Sequence, residues 1–155
     1  MIDTTQIRES VAAICQKFGE KYWRNLDKNK EYPTDFVKEM TTSGFLNILI
    51  PLEYGGAGLG LKEACVVLEE ISLQGAHAGA CHAQMYVMGT LLRHGSDRQK
   101  KEFLPKISSG ELRLQSFAVT EPNSGTDTTN IKTMAKKING GWTVSGQKVW
   151  ISRVE

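Results

Sequence analysis

The stretch FAVTEPNSGTDTTN, residues 117 to 130, gathers hydroxyls, amides, one proline and one glycine, and its only charges are Glu121 and Asp127. An apolar run ending in Val119 and Thr120, a turn at Pro122 and the passage through Gly125 would present successive backbone amides with the Thr120 and Thr126 hydroxyls on one small surface. Such a surface suits the flat hydrogen-bonding edge of a ligand, or a phosphate, better than it suits packing. The loop holds no Lys or Arg, so its donors are dipoles rather than full charges. Downstream, KVWIS places Trp150 and Ser152 on one side of a strand, because side chains alternate. An aromatic plane beside a hydroxyl can cover a planar ligand and donate one hydrogen bond to it. A sheet-core role for Trp150 fits the spacing equally well.

Other chemistries fit less well. His77 and Cys81, four apart on a predicted helix, could offer two of the four ligands that tetrahedral zinc needs, but no second cluster supplies the rest. Helix packing explains these residues better, and no metal is expected. Ser124 lies in no G-x-S-x-G elbow and has no histidine near it in sequence. GGAGLG follows no strand of a βαβ unit, and GAGLGL departs from G-x-G-x-x-G at its last glycine, so the stretch reads as a structural loop. The run Arg98, Lys100, Lys101 reads as a solvated helix face.

The elements that must position the loop are mostly helical. Ile7, Val11, Ile14, Phe18 and Tyr22 recur at spacings of three and four, one stripe of a first helix capped by Asp3 or Thr4. Pro33, Thr34 and Asp35 open a short helix carrying Phe36, Val37 and Met40, which Gly44 stops. FLNILIPLEYGGAGLG is a buried segment followed by a glycine loop. From Leu61 a helix turns Ala64, Val67, Leu68 and Ile71 inward and Glu63, Glu69 and Glu70 mostly outward, until Gly75 breaks it. His77 to Arg93 is apolar nearly all round, as in the middle of a bundle, and Ser96 with Gln99 makes a capping box for a last helix ending near Ser108 to Gly110. The period then changes. RLQSFAV and IKTMAKKI alternate like strands, Asn139-Gly140-Gly141 signals a hairpin, and WTVS and QKVWIS continue the sheet with a bend or bulge at Gly146.

The expected fold is therefore α+β and mainly α: an N-terminal helical bundle over residues 1–112, then the first strands of an incomplete β-barrel-like domain over 113–155. Roughly 40 residues of alternating strand cannot close a barrel, so more chain is expected after Glu155. The 155 residues, 40% hydrophobic and 23% charged, are those of an ordinary globular protein. A net charge of +2 with both signs interspersed gives no field for nucleic acid or an anionic bilayer. No apolar run approaches the ~20 residues that span a membrane, and no signal or transit pattern opens the chain, which predicts a cytoplasmic protein. Cys15, Cys65 and Cys81 are odd in number and sit in apolar helical stretches, which predicts reduced core thiols and no disulfide.

AVTEPNSGTD and GQKVWIS resemble the two middle-domain motifs of the acyl-CoA dehydrogenase flavoproteins, and PLEYGGAGLG and LLRHGSDRQKKEFLPKISSGE resemble that family's N-terminal helical domain, in the right order. The likeness runs from about Tyr32 to Ser152. It implies FAD held at a junction of helical and β domains and oxidation of an acyl-CoA thioester to the trans-2-enoyl product. Carried over residue by residue, it implies flavin contacts from Phe117, Val119, Thr120, Gly125 and Thr126, with Val119 and Thr120 at the pyrimidine side of the ring and Thr126 by the diphosphate and the thioester substrate. Trp150 would lie against the ring, with Ile151 beside it and the Ser152 hydroxyl aimed at N5. Met85, Tyr86 and Met88 are candidates for an acyl-chain pocket, with plain core packing the preferred reading.

Three positions depart from the family pattern: Ser152 stands where threonine is common, Phe117 brings no hydroxyl, and Asn130 replaces a small residue. The resemblance also implies that the α-proton base is a glutamate of a C-terminal helical domain not found in these 155 residues, so no catalytic residue is assigned here and Glu121 is not promoted to base. It further implies an electron-transferring flavoprotein as electron acceptor and a tetrameric full-length enzyme. A same-fold acyl-CoA oxidase or flavin monooxygenase, or a non-catalytic helical binding module, are the alternatives.

Overall fold

In the computed structural model, which describes residues 3–153, six α-helices precede one β-hairpin. The chain divides between Leu114 and Gln115 into two compact units.

The first unit is helical. α1 (Thr4–Gln16) begins at Asp3, whose carboxylate accepts the Thr5 amide at 2.9 Å. The stripe from Ile7 to Tyr22, predicted as one helix, is divided between two: α1 ends before Lys17, and α2 (Glu20–Asn29) starts after an extended Gly19. Splitting the stripe lets Phe18, Tyr22, Trp23 and Phe36 meet edge to face at centroid separations of 4.9 to 5.5 Å, the arrangement aromatic quadrupoles favour. α3 (Thr34–Thr42) closes in a Schellman motif. The Phe45 amide reaches Met40 O and the Gly44 amide reaches Thr41 O, both at 3.0 Å, with Gly44 left-handed at φ 80.

α4 (Leu61–Leu73), α5 (Gly79–His94) and α6 (Asp97–Ser109) complete the unit. The capping box of α6 forms as the sequence predicts, with the Gln99 amide on Ser96 Oγ at 3.3 Å and the Ser96 amide on Gln99 Oε1 at 2.9 Å. One apolar core joins Val11, Phe36, Val37, Met40, Leu46, Val67 and Ile71, and a second joins Ile50, Met88, Leu104 and Ile107.

Glu70, predicted outward, is buried instead. Its carboxylate accepts Arg8 at 3.3 Å and Gln74 Nε2 at 2.7 Å, so α1 and the residue capping the end of the helix that carries Glu70 supply the cation and amide that make its burial tolerable. Cys15 and Cys81 are buried as expected, and burial with the nearby Glu70 charge pushes the Cys15 thiol up to about 11. Cys65, predicted as a core thiol, is exposed.

The second unit holds β1 (Met134–Ile138) and β2 (Gly141–Ser145), antiparallel in a register that sets Met134 opposite Ser145 and Ile138 opposite Gly141. Gly140, left-handed at φ 83, closes the hairpin. The other predicted strands, RLQSFAV and QKVWIS, do not form: residues 113–120 and 146–149 lie outside any strand. The backbone at Trp150 and Arg153 turns to φ 61 and φ 57, which takes this part of the chain out of the extended region. Gly146 is needed for a close approach rather than for a left-handed turn, since a Cβ there would lie 2.1 Å from Thr133 Oγ1 and 2.7 Å from Thr133 Cα.

Candidate functional site

Glu121 and Ser124 face each other across the turn Pro122-Asn123, exchanging amide-to-carbonyl bonds of 2.9 and 3.1 Å. Proline pre-sets φ for the second position of such a turn, and the loop therefore doubles back directly after Thr120. Beyond it the Ser124 hydroxyl donates to the Asp127 carbonyl. The Asp127 carboxylate accepts the Thr129 hydroxyl at 2.5 Å and the Asn130 amide, which hold it below the usual carboxylate range and fix a short 3-10 turn, Thr128–Asn130. Asn130 thus stabilises the loop by a polar bond where a small residue was expected.

The Glu121 side chain turns inward, to 6% exposure. Its carboxylate accepts the Lys132 amide at 2.6 Å, the Thr133 amide at 2.9 Å and Lys148 Nζ at 2.9 Å. Hydrogen bonding from Thr133 comes first in holding the carboxyl down. The Lys132 amide and the Lys148 ammonium follow, and together they set it at about 2. A carboxylate so engaged is a poor proton acceptor.

Lys148 also donates to Val119 O at 2.8 Å, and the Val149 amide donates to Thr120 O at 2.9 Å. The Ser116 hydroxyl donates to Arg153 O. These contacts run residues 116–121 antiparallel to 148–153 and set the two sequence motifs side by side, although neither segment is a strand.

Of the sequence-selected residues, Val119, Thr120 and Ile151 are half-buried, whereas Phe117, Gly125, Thr126, Trp150 and Ser152 are exposed. Trp150 is 90% exposed, so no core formed by the described residues encloses it. Its positive φ also removes the strand alternation that placed Trp150 and Ser152 on one side. A bulky residue in left-handed backbone is a strained arrangement, and such strain collects at functional sites. Gly125 has an ordinary φ, and a Cβ built there meets nothing within 4 Å, so packing within the chain does not call for glycine at this position.

Elsewhere, Met85 and Met88 are buried in the apolar cores as preferred, and Tyr86 is 37% exposed, edge-on to His82 at 4.9 Å. His77 precedes α5, so it and Cys81 do not share a helix face. Among the described residues no His, Cys, Asp and Glu group is arranged to hold a metal, and no helix is long and apolar enough to cross a membrane. The residues that sequence reasoning did not single out are Lys148 and Thr133. The available signal was the pairing of one acid in an otherwise nearly uncharged loop with one lysine beside the apolar VWI run.

Comparison with known proteins fits this arrangement. The sequence profile of the acyl-CoA dehydrogenase N-terminal domain matches residues 3–111, and that of the acyl-CoA dehydrogenase middle domain matches residues 116–155. An acyl-CoA dehydrogenase of Mycobacterium tuberculosis is 33% identical over 150 residues, covering 96% of this chain and 38% of the relative. The structure of a glutaryl-coenzyme A dehydrogenase in complex with glutaryl-CoA superposes with a TM-score of 0.83 at 31% identity, over 96% of this chain and 38% of that one. An acyl-CoA dehydrogenase from Bacillus anthracis complexed with FAD superposes with a TM-score of 0.78 at 27% identity, over 96% of this chain and 26% of that one. The chain spans well under half the length of these relatives. With both profiles matched in order over nearly all its residues, the chain belongs to the acyl-CoA dehydrogenase family.

Proposed function

We propose that this chain binds FAD through residues 117–126 and 150–152 and serves an acyl-CoA dehydrogenase that converts an acyl-CoA thioester to the trans-2-enoyl-CoA. The observation that carries the reading is the antiparallel seating of the two motifs, with the Val149 amide on Thr120 O and Lys148 on Val119 O, which sets Thr120 and the exposed Trp150 on adjoining segments. The residues fit the cofactor: Gly125 leaves open space at the loop, and Thr126 and Ser152 are exposed hydroxyl residues, each followed in sequence by one charged residue, Asp127 and Arg153. When bound, FAD supplies the two-electron acceptor for a hydride leaving the acyl Cβ.

In this reading Val119 and Thr120 hold the pyrimidine side of the isoalloxazine, with Phe117 near them. Thr126 serves the diphosphate and the thioester, Trp150 and Ile151 cover the ring, and Ser152 donates at N5. Fixed neutral dipoles stabilise developing negative charge without reorganising. Glu121, held ionised near 2 and bonded to Lys148, is not the α-proton acceptor. That acceptor comes from outside the described residues. Residues 1–112 then form the helical domain and 113–155 open the middle domain. An electron-transferring flavoprotein is the onward electron acceptor, and the whole enzyme is a tetramer.

The test is direct. FAD is added to the purified chain, free flavin is removed by gel filtration, and the protein fraction is measured between 350 and 500 nm. Retained flavin absorbance with quenched flavin fluorescence supports the reading; flavin that elutes free of folded protein contradicts it. Slow reoxidation of the reduced flavoprotein by oxygen distinguishes a dehydrogenase from an oxidase on the same fold.

A further inference from the structure

We infer that Lys148, acting with Glu121, is a positioning residue that sets the register of the two flavin-binding segments; this deepens the proposed FAD site and rests on it. Lys148 Nζ donates to Val119 O at 2.8 Å and to Glu121 Oε1 at 2.9 Å, so one ammonium ties two positions on the first segment. The adjacent Val149 amide continues the same pairing onto Thr120 O. Glu121 extends the tie to a third segment through the Lys132 and Thr133 amides. The lysine side chain is 21% exposed and the glutamate 5%, so water screens the pair far less than it screens a surface pair.

The Val149 amide on Thr120 O and the Ser116 hydroxyl on Arg153 O join the same two segments, and Lys148 is the charged side chain that adds to them. Among the described residues from Gln115 on, the buried ones are Glu121 and Ser124, both polar, while Val119, Val149 and Ile151 are half-buried, so no fully enclosed apolar side chain anchors the alignment. A one-residue slip would part Thr120 O from the Val149 amide and Val119 O from Lys148. Thr120 and Ser152 would then lose their present offset along the two segments. The polar cluster therefore does in this unit what a core does elsewhere, and it does so immediately beside the residues that hold the ligand.

Lys148→Met keeps the apolar stem and removes both donor contacts, while Glu121 retains its two amides. Two measurements on the whole chain separate the claims: amide hydrogen exchange without flavin, and FAD affinity by fluorescence quenching. The expected result for Lys148→Met is faster exchange at the Val149 amide and weaker FAD binding, each by at least about tenfold, with the 134–145 hairpin amides unchanged. Lys148→Arg, which can still donate to both acceptors, recovers most of each. Unchanged Val149 exchange overturns the inference. Faster exchange with unaltered FAD affinity also overturns it, because the pair is then structural only. If the unsubstituted chain binds no FAD while Lys148→Met still frees the Val149 amide, the flavin reading itself is what fails, and the positioning claim falls with it.

Discussion

The two units of this chain are held by opposite means. In residues 3–114 the buried set is mainly apolar, with Phe36, Leu46, Ile71 and Leu104 fully enclosed, and the buried Glu70 carboxylate is satisfied by Arg8 and Gln74 beside that core. From residue 115 onward no hydrophobic residue is buried among those described, and Met134, Ile138, Trp142, Val144 and Trp150 are all more than half exposed. There the organising group is a carboxylate ringed by donors. Apolar burial is non-directional and tolerates rearrangement, whereas a hydrogen-bonded ionic hub is specific in geometry and fails when one partner is lost. The contrast teaches that the segment nearest the proposed chemistry is aligned by direction-sensitive bonds, and the scaffold by volume.

Breaking the first unit should need a change in volume. Phe36→Ala removes a fully buried ring that Phe18 and Trp23 meet edge-on, and should destabilise the helical unit by about 3–5 kcal/mol, read as a lowered urea midpoint. The hub of the second unit should persist through that change.

Breaking the second unit should need only a misplaced atom. Gly146→Ala puts a methyl group within 2.7 Å of the Thr133 backbone and displaces the residue next to Glu121. About 1–3 kcal/mol of local destabilisation is expected, visible as faster exchange of the Lys132 and Thr133 amides while α4 and α5 stay protected.

Acid sharpens the comparison further. The Glu121 carboxyl is depressed from 4.5 to about 2, so its contribution to stability is fully present above pH 4.5 and is lost as pH falls toward 2. Following the Val149 amide by NMR should show the second unit loosening across that window, with little change between pH 5 and 8. Glu121→Gln should flatten the curve from a lower starting stability.

Much of this was legible from local pattern. The capping box at Ser96 and Gln99, the stop at Gly44 and the hairpin turn at Asn139-Gly140 are short-range devices whose residue types state their geometry. The family motifs likewise marked the loop and the Trp150 segment. What sequence did not show depends on distance. Glu70 alternates like a solvent-facing helix residue, and its burial follows from Arg8, 62 residues away. The segments 113–120 and 146–149 alternate like strands, yet sheet formation needs a paired neighbour, and left-handed backbone at Trp150 interrupts the pattern that alternation presumes. Lys148 reads as an ordinary polar residue until Val119 and Glu121 are brought beside it.

The central claim, that open polar loop and exposed indole form a flavin site rather than an unused turn, is tested most directly at Gly125. Because φ there is ordinary and an added Cβ meets no atom of the chain, Gly125→Ala should leave the unfolding transition within about 1 kcal/mol of the parent. The same substitution should weaken FAD binding by at least about tenfold, because the methyl group occupies space reserved for the cofactor. Equal FAD affinity in the two proteins, at equal stability, would contradict the account.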